Sequence, residues 1–143
     1  MSEIGFYHLT RTGLNAALPA LLCRTLAAGE KAVVVCADER QMAALDDALW
    51  QAEWLPHGTA QTPYPEWQPV YLTTGRENPA GARFLFHVGG METLPEGFNR
   101  LFDLFDGNNE AEVLAARQRW RIAKEAGHSL TYWKQEDSGW VAK

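Results

Sequence analysis

Three cationic side chains near the C-terminal end of the chain are the residues best placed to bind a ligand. Along a predicted helix over residues 109–126, counted at about 100° per residue, Arg117, Arg121 and Lys124 fall within roughly 60° of one another. We call these three residues the basic ridge. Trp120 lies on its flank. Cations edged by an indole suit an anionic ligand that is also partly apolar.

The charges of the basic ridge have few acids nearby in the helix to neutralise them. Helical ion pairs form between residues three or four positions apart. At those positions Arg117 and Lys124 each have one neighbour among Arg, Lys, Asp and Glu, the like-charged Arg121. Arg121 has one acidic neighbour, Glu125. An incoming carboxylate would relieve this repulsion. The alternative is a solvated face whose cations complement the negative C-terminal end of the helix dipole.

The same angular count predicts which side of this helix is buried. The small apolar residues Ala111, Ala115, Ile122 and Ala126 collect opposite the basic ridge and form the predicted buried stripe. Arg119 projects toward the inner side. We expect it to be structural, with its stem packed and its charged head reaching out to solvent.

Composition narrows the classes of protein that the chain could be. Its 143 residues, 46% of them apolar, suit one globular domain over residues 1–143. We expect a cytoplasmic protein, because the N-terminus lacks a signal pattern, no apolar run could span a bilayer, and two cysteines make no disulfide framework. A net charge of −5 argues against tight nucleic acid binding. A basic ridge on an acidic protein indicates an acidic peptide ligand.

The elements that must position these residues follow from hydrophobic periodicity. The first fifty residues have the order β-α-β-α, which predicts an α/β fold with a parallel sheet. Asp38 with Gln41, and Asn109 with Glu112, are predicted capping boxes. The pattern predicts strands over 5–9, 32–36, 70–74, 84–88 and 100–105, and helices over 14–28, 38–50 and 109–126.

A nucleotide-binding Rossmann-like enzyme is the alternative reading of this order of elements. Asp38 and Glu39 follow the second strand, where such folds hold a ribose. The first strand-to-helix turn, however, contains one glycine, Gly13, instead of the G-x-G-x-x-G series, and helix capping accounts for Asp38. Cys23 and Cys36 are expected to pack in the core. The sequence therefore predicts no catalytic centre, no metal site and no cofactor.

A cluster of apolar residues surrounds the predicted end of the second helix. It comprises Trp50, Trp54, Leu55 and Pro56. One reading is that these side chains pack the edge of the core and the following loop. The other is a partner interface, since neighbouring exposed aromatic residues are typical anchors.

Several segments together resemble the chi subunit of bacterial DNA polymerase III, in chain order to about Lys134. The likeness is carried by residues 5–9 (GFYHL), 36–41 (CADERQ), 45–50 (LDDALW), 55–57 (LPH), 117–121 (RQRWR) and 126–127 (AG). This resemblance implies a three-layer α/β/α domain with a mostly parallel Rossmann-like sheet and an antiparallel edge strand. It also implies a non-catalytic accessory subunit of a holoenzyme that is a DNA-directed DNA polymerase.

The resemblance further implies two partners. Chi subunits link the clamp loader to the acidic C-terminal tail of single-stranded-DNA-binding protein, which ends in phenylalanine. Arg117, Trp120 and Arg121 match the tail-binding positions, and the helical count adds Lys124. The other interface binds the psi subunit or another clamp-loader subunit, and its matching positions are Trp50, Trp54, Leu55 and Pro56. The segment between the two tryptophans is shorter than in the family, and residues 135–143 extend beyond the likeness.

Overall fold

The computed structural model describes residues 3–51, 57–59, 68–75, 78–88, 97–136 and 139–142. Within these residues the chain forms three helices, α1 (Leu14–Ala27), α2 (Glu39–Gln51) and α3 (Glu110–Glu125). It also forms seven strands, β1 (Glu3–Leu9), β2 (Ala32–Val35), β3 (Val70–Thr73), β4 (Phe84–His87), β5 (Arg100–Asp106), β6 (Ser129–Glu136) and β7 (Gly139–Ala142).

The strands form one sheet in the order β3-β2-β4-β5-β1-β6-β7. All neighbouring strands are parallel except the β6–β7 pair at one edge, which is antiparallel. Helices α1 and α2 pack on one face through residues such as Leu18 and Leu45, and α3 packs on the other through Ala116 and Ala123. The predicted three-layer α/β/α fold with a mostly parallel sheet and an antiparallel edge strand is therefore confirmed.

Strand β2 shows why the sequence forms a buried parallel sheet. All four of its residues are buried. Val34 faces the α1–α2 side, whereas Val33 and Val35 face α3. A continuous apolar run is what a strand covered on both faces requires, because alternation would place polar side chains against one helical layer.

The predicted capping at α2 is confirmed with one displacement. The Asp38 carboxylate accepts a hydrogen bond of 2.8 Å from the Gln41 backbone N–H. The Gln41 side chain accepts a return bond of 2.7 Å from Ala37, one residue before the expected partner. Its amide nitrogen also donates to the Val88 carbonyl, which ties the start of α2 to the residue after β4.

Strands β6 and β7 were missing from the sequence prediction, which ended its strands at residue 105. Residues 135–143, which the resemblance left without a role, contribute the end of β6 and all of β7. The Gln135 side-chain oxygen accepts hydrogen bonds from the backbone N–H groups of Thr10, Arg11 and Thr12. Because β6 pairs with β1, more than 100 residues earlier in the chain, tertiary contact outweighs a weak local pattern here.

A buried ion pair joins α3 to the sheet. Arg119 is 4% exposed and Asp103 of β5 is fully buried. Arg119 Nε donates to Asp103 Oδ2 at 2.5 Å, and Arg119 Nη2 donates to Oδ1 at 3.0 Å. The inward direction predicted for Arg119 is confirmed. The expectation that its charged head reaches solvent is wrong, because a carboxylate inside the fold binds it.

Charges around Asp103 determine its protonation. Burial acts to raise the pKa of this carboxyl, but the contacts with His87 and Arg119 outweigh it and hold the pKa below its usual value. Arg119 makes two short hydrogen bonds, whereas His87 Nδ1 lies 3.8 Å from Asp103 Oδ1, so that contact is electrostatic rather than a hydrogen bond. Asp103 is therefore ionised and paired at neutral pH.

We expect Asp103→Asn to lower the free energy of unfolding by about 3–5 kcal/mol, because it leaves the Arg119 guanidinium buried without its carboxylate. Urea denaturation measures this loss. The matched control is Arg83→Ala, which breaks a second two-bond arginine–carboxylate pair, with Glu30, at a site where the arginine side chain is 61% exposed. The control should cost at most about 1 kcal/mol. Equal losses at the two sites would contradict a dominant buried pair.

The same variant has a predicted pH dependence. An acid whose folded pKa is lowered stabilises the fold above its unfolded pKa, about 3.9 for Asp, and loses that contribution as the pH falls further. The difference in unfolding free energy between the wild type and Asp103→Asn should be fully present at pH 5. Below about pH 3.9 it should narrow by about 1.4 kcal/mol per pH unit. Urea titrations at pH 5, 4 and 3 test this, and an undiminished difference at pH 3 would refute it.

Candidate ligand-binding site on helix α3

The N-terminus of α3 is fixed by the residues predicted to cap it. The Asn109 side chain accepts a hydrogen bond of 3.2 Å from the Glu112 backbone N–H. The Glu112 carboxylate reaches past Asn109 and accepts from the Asp106 N–H at 3.3 Å. The bond from the Glu112 N–H to the Asn109 side chain is thus present as predicted. The Glu112 carboxylate binds the last residue of β5 instead of the Asn109 N–H, and so joins α3 directly to that strand.

The rotation of α3 about its axis differs from the prediction. Its buried residues are Ala116, Arg119 and Ala123. The residues predicted as the buried stripe are all exposed, namely Ala111, Ala115, Ile122 and Ala126. The stripe was misplaced by about 100°, one residue step. The reason is that a charged residue, Arg119, is part of the buried face, which apolar periodicity alone does not reveal.

The basic ridge is exposed in the structure, as predicted. Arg117, Arg121 and Lys124 all have solvent-exposed side chains. None of the three forms an ion pair with an acid in the part of the chain that the structure describes, and this includes the predicted candidate pair of Arg121 with Glu125. The positive charge of the ridge is therefore available to an external anion.

An apolar pocket of about 200 Å³ opens beside the basic ridge, between α3 and the sheet. Arg117 is the one charged residue among the described residues that line it. The rest of the lining is aromatic or aliphatic and comes from three adjacent strands as well as the helix. The lining residues are Phe6, Phe105, Val113, Ala116, Arg117, Trp120 and Tyr132.

Trp120 forms a fixed wall of this pocket. Its indole is half-buried and meets the Phe6 ring edge-on, with centroids 5.2 Å apart and planes at 64°. It meets the Tyr132 ring at 6.1 Å and 75°. Edge-to-face contacts of this kind hold aromatic rings in place. Trp120 thus lies between the basic ridge and the buried face of α3, and it separates the cations from the core.

Sequence reasoning missed the pocket residues that come from the sheet. Phe6 of β1 lies directly opposite Tyr132 of β6 in the strand register, and His8 lies opposite Phe105 of β5. These residues are far apart in sequence, and only strand pairing brings them together. The available signal was the alternation of polar Ser129 and Thr131 with apolar Leu130 and Tyr132, which indicates a strand face but not its neighbours.

The second predicted interface falls largely outside the described residues. Trp50 is in the last turn of α2, but its side chain, together with Trp54, Leu55 and Pro56, lies outside the described part. The chain is described again at His57, which is buried and has Nε2 2.8 Å from Asp46 Oδ1 of α2. This contact holds His57 against α2.

A larger cavity of about 440 Å³ lies at the carboxyl ends of β1 and β5. A Rossmann-like enzyme would bind its nucleotide there. The lining includes the carboxylates of Asp106 and Glu112 together with Arg11, and the adjoining turn has the single glycine Gly13. Two carboxylates oppose the binding of phosphate groups. The cavity therefore gives little support to the nucleotide-binding alternative.

The two cysteines differ in their exposure to solvent. Burial raises the pKa of the Cys36 thiol to about 12, as expected for a core residue. Cys23 is exposed, so its predicted core position is wrong.

Over the described residues, no three His, Cys, Asp or Glu side chains are grouped so that they could hold a metal ion. In those same residues, every helix is too short or too polar to cross a membrane.

Comparison with known proteins assigns the chain to a family. Residues 1–131 match the family model described as DNA polymerase III chi subunit, HolC. The chain is also 28% identical over 88 residues to a protein of Rickettsia prowazekii (strain Madrid E) named "Probable DNA polymerase III subunit chi". That match covers 59% of this chain and 53% of the relative, so it spans about half of the relative's length. The chain belongs to the DNA polymerase III chi subunit family, whose members are replication accessory subunits.

Proposed function

We propose that this chain links the clamp loader of the polymerase III holoenzyme to the acidic C-terminal tail of single-stranded-DNA-binding protein, and that it has no catalytic centre of its own. The observation that carries the proposal is the apolar pocket beside the basic ridge, in which Arg117 is the one charged residue and the ridge has no ion pair with an acid, both taken over the described residues. A peptide that ends in a phenylalanine with a free carboxylate matches both parts.

The pocket suits the terminal residue of such a tail. Its volume of about 200 Å³ is below the range of about 300–1,000 Å³ typical of small-molecule sites, so it can enclose a side chain rather than a nucleotide. Trp120, Phe6 and Tyr132 offer aromatic edges and faces to a phenyl ring. Arg117 can then make charge-assisted hydrogen bonds to the terminal carboxylate.

The other two residues of the basic ridge, Arg121 and Lys124, can attract the acidic residues that precede the terminal phenylalanine of the tail. Arg121 and Lys124 continue from Arg117 along the exposed side of α3, about one helical turn apart at each step. Exposed cations in such a row attract an acidic segment over several ångströms and raise its association rate more than its final affinity. They would therefore guide the tail toward the pocket.

The position of the second interface supports a linking role. The tail site is on the α3 side of the sheet, whereas α2 packs on the opposite face. Trp50 is at the C-terminal end of α2, and Trp54, Leu55 and Pro56 follow it in sequence. A psi subunit, or another clamp-loader subunit, bound near the end of α2 would not compete with a tail bound at α3.

The first test compares a short acidic peptide that ends in a free phenylalanine carboxylate with its C-terminal amide. We expect amidation and Arg117→Ala each to weaken binding by about 1.5–3 kcal/mol, the range for a hydrogen bond to a charged group. The two changes together should cost little more than either alone, because both remove the same interaction. Calorimetric titration measures all four combinations.

The matched control is Arg40→Ala, which removes an exposed arginine from α2 on the other side of the sheet. It should leave peptide affinity unchanged. Mononucleotides and dinucleotides, the ligands of the alternative enzyme, should show no binding in the same titration. Equal affinity for the acid and the amide would refute the pocket assignment.

The second test concerns the upstream cations. Reversal of charge in Arg121→Glu and Lys124→Glu should reduce the association rate constant about tenfold at low salt, and the difference should diminish as salt screens exposed charges. Stopped-flow kinetics at about 20 mM and about 300 mM salt measure this. A binding rate that is independent of salt in the wild type would place the peptide at an apolar surface elsewhere.

A further inference from the structure

Tyr132 lines the pocket, and its hydroxyl group forms a hydrogen bond with Nδ1 of His8, a residue of β1 that the tail-binding assignment does not use. We propose that Tyr132 is a specificity-determining residue of the pocket, that His8 is its positioning residue, and that the pair couples binding of a peptide's terminal carboxylate to uptake of a proton by His8. This inference rests on the proposed function, because it concerns the same peptide ligand.

His8 contacts two walls of the pocket at once. Its ring centroid lies 5.8 Å from that of Tyr132, with planes at 87°, and 5.1 Å from that of Phe105. Tyr132 in turn meets Trp120 edge-on. A change in the charge or hydrogen bonding of His8 therefore acts directly on rings that line the pocket.

Gly107, in the turn after β5, fixes the other edge of the His8 ring. A Cβ atom placed on Gly107 would lie 2.1 Å from His8 Nε2 and 2.0 Å from Cδ2, so any side chain there would displace the imidazole. The backbone of Gly107 also forms a hydrogen bond with His8. With Nε2 turned toward this backbone, Nδ1 of the neutral ring accepts the hydrogen bond from the Tyr132 hydroxyl.

The charges around His8 explain why a bound carboxylate would matter. Burial lowers the pKa of His8, and Lys134 of β6 and Arg117 of α3 lower it further, whereas the Gly107 backbone and Asp106 of β5 raise it. His8 is therefore neutral at pH 7 in the unliganded protein. A carboxylate bound to Arg117 would offset one of the two repelling cations and favour the protonated ring.

Proton uptake changes the hydrogen bond to Tyr132. Protonated His8 donates from Nδ1, so the Tyr132 oxygen accepts and its own O–H turns away from His8. That hydroxyl proton becomes available to the anion in the pocket. By linkage, the proton and the carboxylate each tighten the binding of the other by the same factor. An amidated peptide lacks the charge, so its binding gains nothing from the proton.

The experiment is calorimetry on the full chain with an N-acetylated acidic peptide that ends in a free phenylalanine carboxylate, between pH 7.5 and pH 5.5. Buffers with different ionisation enthalpies reveal proton uptake. We expect wild-type affinity for the acid peptide to rise roughly fivefold over this range, with net proton uptake, as an added charge at a partly exposed site would produce. The amide peptide should show neither effect.

Three variants separate this coupling from a structural role. His8→Asn keeps an acceptor oxygen near the Nδ1 position without a titratable group, so its affinity for the acid peptide should show no pH dependence. Tyr132→Phe keeps the ring and loses the hydroxyl, so it should flatten the pH profile and shift the His8 titration seen by NMR in the unliganded protein. His128→Asn, beyond the end of α3, is the matched control and should keep the wild-type profile.

The outcomes distinguish this inference from the proposed function. If the wild type binds the acid peptide with an affinity that does not depend on pH and still prefers the acid to the amide, the His8–Tyr132 coupling is overturned and the tail site stays intact. A pH profile that persists in His8→Asn, or a His8 titration that Tyr132→Phe leaves unmoved, would also overturn it. Loss of the preference for acid over amide would instead refute the tail site itself.

Discussion

The buried pair of Arg119 and Asp103 is the interaction on which the rest of the α3 site depends. A guanidinium held by two hydrogen bonds at 2.5 and 3.0 Å in a solvent-excluded position cannot leave its carboxylate without a large penalty. The rotation of α3 against the sheet is therefore fixed. Because residues two apart on a helix point about 200° away from each other, an inward Arg119 directs Arg117 and Arg121 outward.

The pocket follows from the same constraint together with the strand order. With Arg119 inward, Trp120 lies one step of about 100° round the helix, at the edge of the buried face. There it meets Phe6 and Tyr132, which the parallel pairing of β1 and β6 has already placed opposite each other. The apolar cavity and the cation at its rim are thus formed by a rotation of one helix and a register of adjacent strands.

Much of this architecture could be predicted from the sequence, but the site could be predicted only in part. The apolar run of β2 and the caps of α2 and α3 are local signals, and they gave the order of the described elements correctly as far as α3. The exposure of the basic ridge followed from charge, since three cations do not share a buried face. The rotation of α3 did not follow, because one of its buried residues is an arginine and the partner of that arginine, Asp103, is on another element.

The parts that were missed share one physical cause. Strand β6 has Ser, Thr, Lys and Gln among its residues, and it is a strand because β1 offers a parallel partner on one side and β7 an antiparallel partner on the other. Tyr132 reaches the pocket only through that pairing. Local propensity could not reveal either fact, since the pairing with β1 that places Tyr132 in the pocket involves residues more than 100 positions away.

The charge distribution of the chain narrows the range of anions that the proposed site would accept more than a basic ridge alone would. A net charge of −5 repels a polyanionic backbone as a whole, so extended nucleic acid gains little from three local cations. A short acidic tail has far less charge to bring near the rest of the surface, and it can also bury an aromatic side chain. Under the proposed function, the ridge would favour acidic segments in general, and the pocket would select among them the one that ends in a ring and a carboxylate. The proposal therefore places the discrimination between anions in the apolar part of the site, where desolvation would make a peptide end without a matching ring and carboxylate costly to bind.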